Sequence, residues 1–174
     1  MLTLLAVIAA IVLFYLVLKA RAPLDIYRQF SLPASQWTIL GTDLGKGHPR
    51  KRLSALGVGG EPDAIFKGKR TGQIVIGEYK NRKHKGYVRR REYYQVILYI
   101  GLARQVFGES NVIGLLSFKD ECVQVLFDEQ LFRALVEIRT EVPISLKYRK
   151  PKDARPLHKR MSITPRNPKI RFPR

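Results

Sequence analysis

Asp63, Glu78 and Lys80 carry the first chemistry that this sequence suggests. Alternate residues of a strand share a face, so a strand over Gln73 to Lys80 sets Glu78 and Lys80 beside Ile74 and Ile76, with Val75, Gly77 and Tyr79 opposite. A preceding strand ends Asp63-Ala64-Ile65-Phe66. If the two close around a four-residue turn at Lys69 to Gly72, position 68 pairs with 73 and Asp63 faces Glu78, their Cβ atoms roughly 5 Å apart. Two carboxylates so placed repel and require a shared proton or a cation between them. Mg²⁺, or Mn²⁺ in its place, suits such a pair, because Mg²⁺ takes oxygen ligands, keeps several waters and commonly binds one or two carboxylates plus substrate phosphate. A cation there would make a bound water more acidic and stabilise charge on phosphoryl oxygens. Lys80 would lie beside that water, stabilising negative charge or, with a depressed pKa, joining in proton transfer.

The elements that must hold these residues can be read from punctuation and period. Gly41, Gly45, Gly47 and Pro49 mark a loop, and Gln36 to Leu44 before it fits a helix or a strand equally well. Ser54 to Phe66 leads into the first strand, Lys67 to Gly72 has turn chemistry, and Gln73 to Lys80, rich in Ile and Val, completes a hairpin. From Tyr87 to Phe107 the apolar period changes to three and four residues, which predicts a helix stopped by Gly108. Asn111 to Phe118 and Cys122 to Phe127 read as two strands around an Asp120-Glu121 turn, and Asp128 caps a helix reaching about Arg139. The fold class is therefore α/β.

Pro62-Asp63, followed by Glu78-Tyr79-Lys80, resembles the motif of the PD-(D/E)XK nuclease superfamily. Gln95-Val96-Ile97-Leu98-Tyr99 on the next helix is similar to the Q-x-x-x-Y element of its RecB-like branch. The resemblance covers about Leu53 to Phe127. It implies a restriction-endonuclease-like αβββαβ core, Mg²⁺-dependent phosphodiester hydrolysis, and catalytic roles for Asp63, Glu78, Lys80, Gln95 and Tyr99. Gln95 and Tyr99 are four residues apart and share a helix face, which agrees independently. Many relatives add a glutamate from a first helix or a histidine upstream of the Asp as a metal ligand. No Glu precedes Glu61 here, and His48 is the only upstream histidine, so the expected ligands are Asp63, Glu78 and His48. The lone Cys122 excludes a cysteine-based zinc site.

The formal net charge of +18 on 174 residues, with a pI near 10.4, points to an anionic partner. Arg82, Lys83, Lys85, Arg89, Arg90 and Arg91 lie between the strand bearing Lys80 and the helix bearing Gln95, where phosphate contacts with nucleic acid are useful. Glu92 could support the site from the same helix. From residue 143 onward many Lys and Arg and several prolines face the single acid Asp153, which predicts a disordered basic tail over 143–174.

Residues 2–18 carry no charge and, as a helix, would rise about 26 Å, enough to span a hydrocarbon core. Lys19, Arg21 and Arg28 follow the run and nothing basic precedes it, so it reads as an uncleaved anchor with the rest of the chain on the cytoplasmic side. The expected organisation is a transmembrane anchor over 1–20, a connector over 21–35, a nuclease-like domain over 36–142 and the tail. The function this suggests is a single-pass inner-membrane nuclease acting on DNA rather than RNA, the choice of DNA following from the family alone. Its rivals are an inert basic nucleic-acid-binding or membrane scaffold of the same fold, and a secreted nuclease if the apolar run is cleaved.

Overall fold

The computed structural model describes residues 26–173 except Lys46, together with residues 8 and 10–12. The expected spanning helix over residues 2–18 lies almost wholly outside the described residues. Among those described, no helix is long and apolar enough to cross a membrane.

The chain is mixed α/β. A helical turn at residues 26–29 precedes β1 (Trp37–Thr42), a small hairpin of β2 (Leu53–Ala55) and β3 (Val58–Gly60), then β4 (Ala64–Gly68) and β5 (Ile74–Tyr79). There follow α1 (Arg90–Phe107), β6 (Val112–Ser117), β7 (Cys122–Val125), α2 (Glu129–Glu137), a 3-10 turn (Ile138–Thr140), α3 (Glu141–Tyr148) and α4 (Leu157–Arg160). Five strands form one sheet in the order β1-β4-β5-β6-β7, in which only β5 and β6 run parallel. That parallel pair requires a crossover, and α1 supplies it.

The sheet is packed on both faces, because the period-2 pattern of its strands is apolar on both sides. Ile65, Ile74, Ile76 and Leu116 face the core beneath α1, while Ala64, Phe66 and Val75 face a second cluster with Ile26 and Phe30. The segment expected as a connector over 21–35 therefore contributes core residues from Ile26 onward. Gly77 makes this possible: a Cβ there would stand 2.6 Å from the Phe30 ring. Helix α1 ends as its sequence dictates, at Gly108 with φ 64°, and Asp128 caps α2 by accepting the Leu131 N–H at 2.9 Å.

The expected disordered tail is instead docked. Ile170 is buried in the main core, Phe172 packs edge-on against Tyr93 at 5.5 Å, and the Arg171 carbonyl accepts the Val88 N–H at 2.9 Å. Asn167 donates to the Gln124 carbonyl at 2.8 Å, and Lys169 pairs with Glu121 at 2.9 Å. Charge density hid these few apolar anchors, Met161, Ile163, Ile170 and Phe172, which are enough to hold a basic segment against the domain.

Candidate active site

The β4–β5 turn sets the geometry. Gly68 donates to the Gln73 carbonyl at 2.9 Å, Ala64 pairs with Gly77 and Ile65 with Ile76, so continuing the register one step places Asp63 opposite Glu78. Pro62 precedes Asp63 and holds Glu61 away from helical geometry. The Asp63 carbonyl is pinned by the Thr42 hydroxyl at 2.7 Å and the Asp43 N–H at 3.1 Å. Its carboxylate is oriented by the Tyr79 N–H, which donates to Oδ2 at 2.6 Å. Strand β1, undecided between helix and strand from sequence, thus fixes the backbone of a candidate ligand.

Glu78 and Lys80 emerge on the α1 side of the sheet, where Gln95 meets both. Glu78 Oε1 accepts from Lys80 Nζ at 2.8 Å and from Gln95 Nε2 at 2.7 Å, while Gln95 Oε1 accepts from Lys80 at 3.1 Å. Gln95 Nε2 also lies 3.4 Å from the Tyr99 hydroxyl. The amide is therefore used at both ends, and its orientation follows from its partners. Tyr99 in turn abuts Gly60 of the small hairpin, where any side chain would overlap its ring. All five residues singled out from sequence as catalytic, Asp63, Glu78, Lys80, Gln95 and Tyr99, form one connected cluster.

Its electrostatics are unbalanced. Burial raises the pKa of Glu78, and the Lys80 hydrogen bond only partly opposes it, with the Asp63 charge adding to the rise. Asp63 is also raised, first by burial, against the Tyr79 N–H, with Asp43 adding like charge. Glu78 Oε2 is buried and makes no hydrogen bond. A buried carboxylate oxygen without a hydrogen bond, beside a second carboxylate, calls for a shared proton or a cation.

His48 does not complete this set. Among the described residues, no group of three His, Cys, Asp or Glu side chains placed to hold one ion is found, so His48 is not brought to the Asp63–Glu78 pair. Its loop belongs to the turn after β1, where the Thr42 N–H donates to the Pro49 carbonyl at 3.1 Å. Asp43, at the end of the Gln36 to Leu44 segment and given no role from sequence, acts on Asp63 through charge.

The basic run divides into two kinds of residue. Lys83, Lys85 and Arg91 are exposed and Arg89 is half-buried. Arg90 instead donates to the Pro173 carbonyl at 3.0 Å and lies over the Phe172 ring. Arg82 is turned inward: Nη2 and Nε bind the Glu92 carboxylate at 2.7 and 3.2 Å, and its guanidinium lies over the rings of Phe118 and Tyr87. Glu92 is buried, which alone would raise its pKa, yet Arg82 and the Arg89 N–H bring it below its ordinary value. Arg82 is thus a strut, not an open phosphate ligand. His84, assigned no role from sequence, ties the same loop to the β6–β7 turn through its N–H to Asp120 at 2.8 Å and Nδ1 to Glu121 at 3.1 Å.

No family profile matches the chain, and no characterised protein matches it significantly. A solved structure, the crystal structure of SSO0001, is similar at TM-score 0.38 and 20% identity, over 79% of this chain and 61% of that one. This chain spans less than two thirds of that protein's length, and a likeness at that score carries no argument.

Proposed function

We propose that the chain is a membrane-anchored, Mg²⁺-dependent nuclease of PD-(D/E)XK type that hydrolyses phosphodiester bonds of nucleic acid, DNA before RNA. The observation that carries this reading is the Glu78 carboxylate, bonded through one oxygen to both Lys80 and Gln95 while the other lies buried and unpartnered beside Asp63. The strand order supports it too: a helical turn, three antiparallel strands, a crossover helix and a parallel strand fit the αβββαβ arrangement that the motifs imply.

Asp63 and Glu78 would hold the cation, since their oxygens match the hard-ion preference and, among the described residues, no cysteine or histidine joins them. When bound, Mg²⁺ supplies Lewis acidity toward the phosphoryl oxygens and lowers the pKa of water. The chain's own work is positioning. Tyr79 holds Asp63 by its backbone, Gln95 fixes both Glu78 and Lys80, and Tyr99 holds Gln95 in place. Lys80 keeps a cation at the carboxylate pair, where it stabilises the charge that grows on the non-bridging oxygens as water attacks phosphorus. The exposed Lys83, Lys85 and Arg91 would hold the flanking phosphates.

The test is cleavage of linear, circular and single-stranded DNA with Mg²⁺ or Mn²⁺. Asp63→Ala and Glu78→Ala are each expected to abolish cleavage while DNA binding stays nearly intact. Equal cleavage by wild type and both variants removes the catalytic assignment, and binding without cleavage by the wild type favours the inert scaffold.

A further inference from the structure

Helix α3 packs almost nothing. None of its residues is buried, and Leu146, Tyr148, Val142 and Ile144 are 73%, 59%, 49% and 41% exposed. Its inward contacts are polar: Ser145 Oγ accepts the Lys152 N–H at 3.2 Å, and Glu141 pairs with Arg160. Two of the acids of the neighbourhood are already neutralised, Glu141 by Arg160 and Asp153 by Arg155 at 2.7 Å and Arg160 at 3.2 Å, which leaves Glu137 against the surrounding cations. Lys147, Arg149, Lys150 and Lys152 remain exposed around the apolar side chains.

We propose that α3 and the residues up to Lys152 form a docking face for an anionic lipid bilayer. A bilayer interface presents acyl chains for Val142 and Leu146, which lie one turn apart on the same side of α3, and phosphate headgroups for the surrounding cations. Duplex DNA would satisfy the cations but leave the aliphatic side chains in water. Docking here would fix how the nuclease domain lies on the membrane, an orientation that a single tether at residues 2–18 leaves free. The setting rests on the proposed membrane placement; the lipid chemistry of the face does not require the tether.

The experiment is hydrogen exchange of the full chain with vesicles of phosphatidylcholine, with or without phosphatidylglycerol, and separately with duplex DNA. Amides of residues 144–152 are expected to exchange several-fold more slowly only with phosphatidylglycerol. The effect should fall when Lys147, Arg149, Lys150 and Lys152 are changed together to Gln, all exposed positions that leave the fold intact. Alkaline carbonate extraction of the same samples reports the tether. Chain stripped by carbonate but protected at α3 upholds the docking face and removes the tether. Chain retained in both vesicle types with unchanged exchange at α3 overturns the docking face alone, as does protection by DNA and not by lipid.

Discussion

At the scale of single residues, the site stores a charge that the fold alone does not stabilise. Glu78 is held above its ordinary carboxylate pKa of 4.5 by burial, and Asp63 above 3.8. Unfolding returns both to ordinary values. Between the ordinary and raised pKa the folded chain therefore holds more protons than the unfolded one, and stability falls as pH rises through that window. The metal-free protein should thus be more stable at mildly acidic pH than at neutral pH, and Glu78→Gln, which imitates the protonated acid, should remove part of that dependence. In EDTA at neutral pH this variant is expected to melt above wild type by roughly 2–4 °C for each kcal/mol of relieved desolvation. Adding Mg²⁺ should reverse the order, because only the wild type gains binding free energy in the folded state. A Glu78→Gln variant that melts below wild type in EDTA would show that the Lys80 bond outweighs burial.

At the scale of elements, the strands and turns of the site were legible because one rule fixed them. A period of two assigns faces, and a four-residue turn at Lys69 to Gly72 assigns register, so Asp63 opposite Glu78 follows from counting. Gln95 and Tyr99 were legible from helical spacing. Strand β1 was not, since Trp37-Thr38-Ile39-Leu40 lacks a decisive period and only pairing with β4 makes it a strand. The run after Lys80 misled for a different reason: charge count does not reveal which cation has a buried partner. Glu92 was the available signal, an acid in the first turn of α1 with arginines before it.

The Arg82–Glu92 pair gives that distinction a measurable form. Arg82→Ala leaves a carboxylate only 5% exposed without its partner and should cost about 3 kcal/mol. Lys at position 82 should rescue little, because it lacks the two-pronged donor. Changing Lys83, Lys85 and Arg91 together to Gln should leave melting nearly unchanged but lower the slope of log affinity against log salt by about 0.9 per lost phosphate contact on duplex DNA. If Arg82→Ala melts like wild type while lowering the salt slope, Arg82 belongs to the DNA path after all.

At the scale of the whole molecule, a chain of net charge +18 has docked the end of its basic tail against its own core through Ile170 and Phe172. The tail runs beside the loop that follows Lys80, through Arg171 to Val88 and Pro173 to Arg90, so it both packs and adds positive charge near the candidate site. These two contributions separate by mutation. Ile170→Ala keeps every charge but empties a site that is 6% exposed, which should cost about 2–5 kcal/mol. Melting should fall accordingly while the salt slope of DNA binding stays at the wild-type value. Lys169→Gln removes a charge whose partner, Glu121, is itself part of the contact to His84, so it should loosen the loop slightly and alter the slope by less than one contact. Deleting residues 167–174 should combine both effects, and cleavage should then fail first at the higher temperatures where the truncated domain melts. Were Ile170→Ala to melt with wild type, the tail would be held by charge alone, and its loss would appear only in the salt dependence.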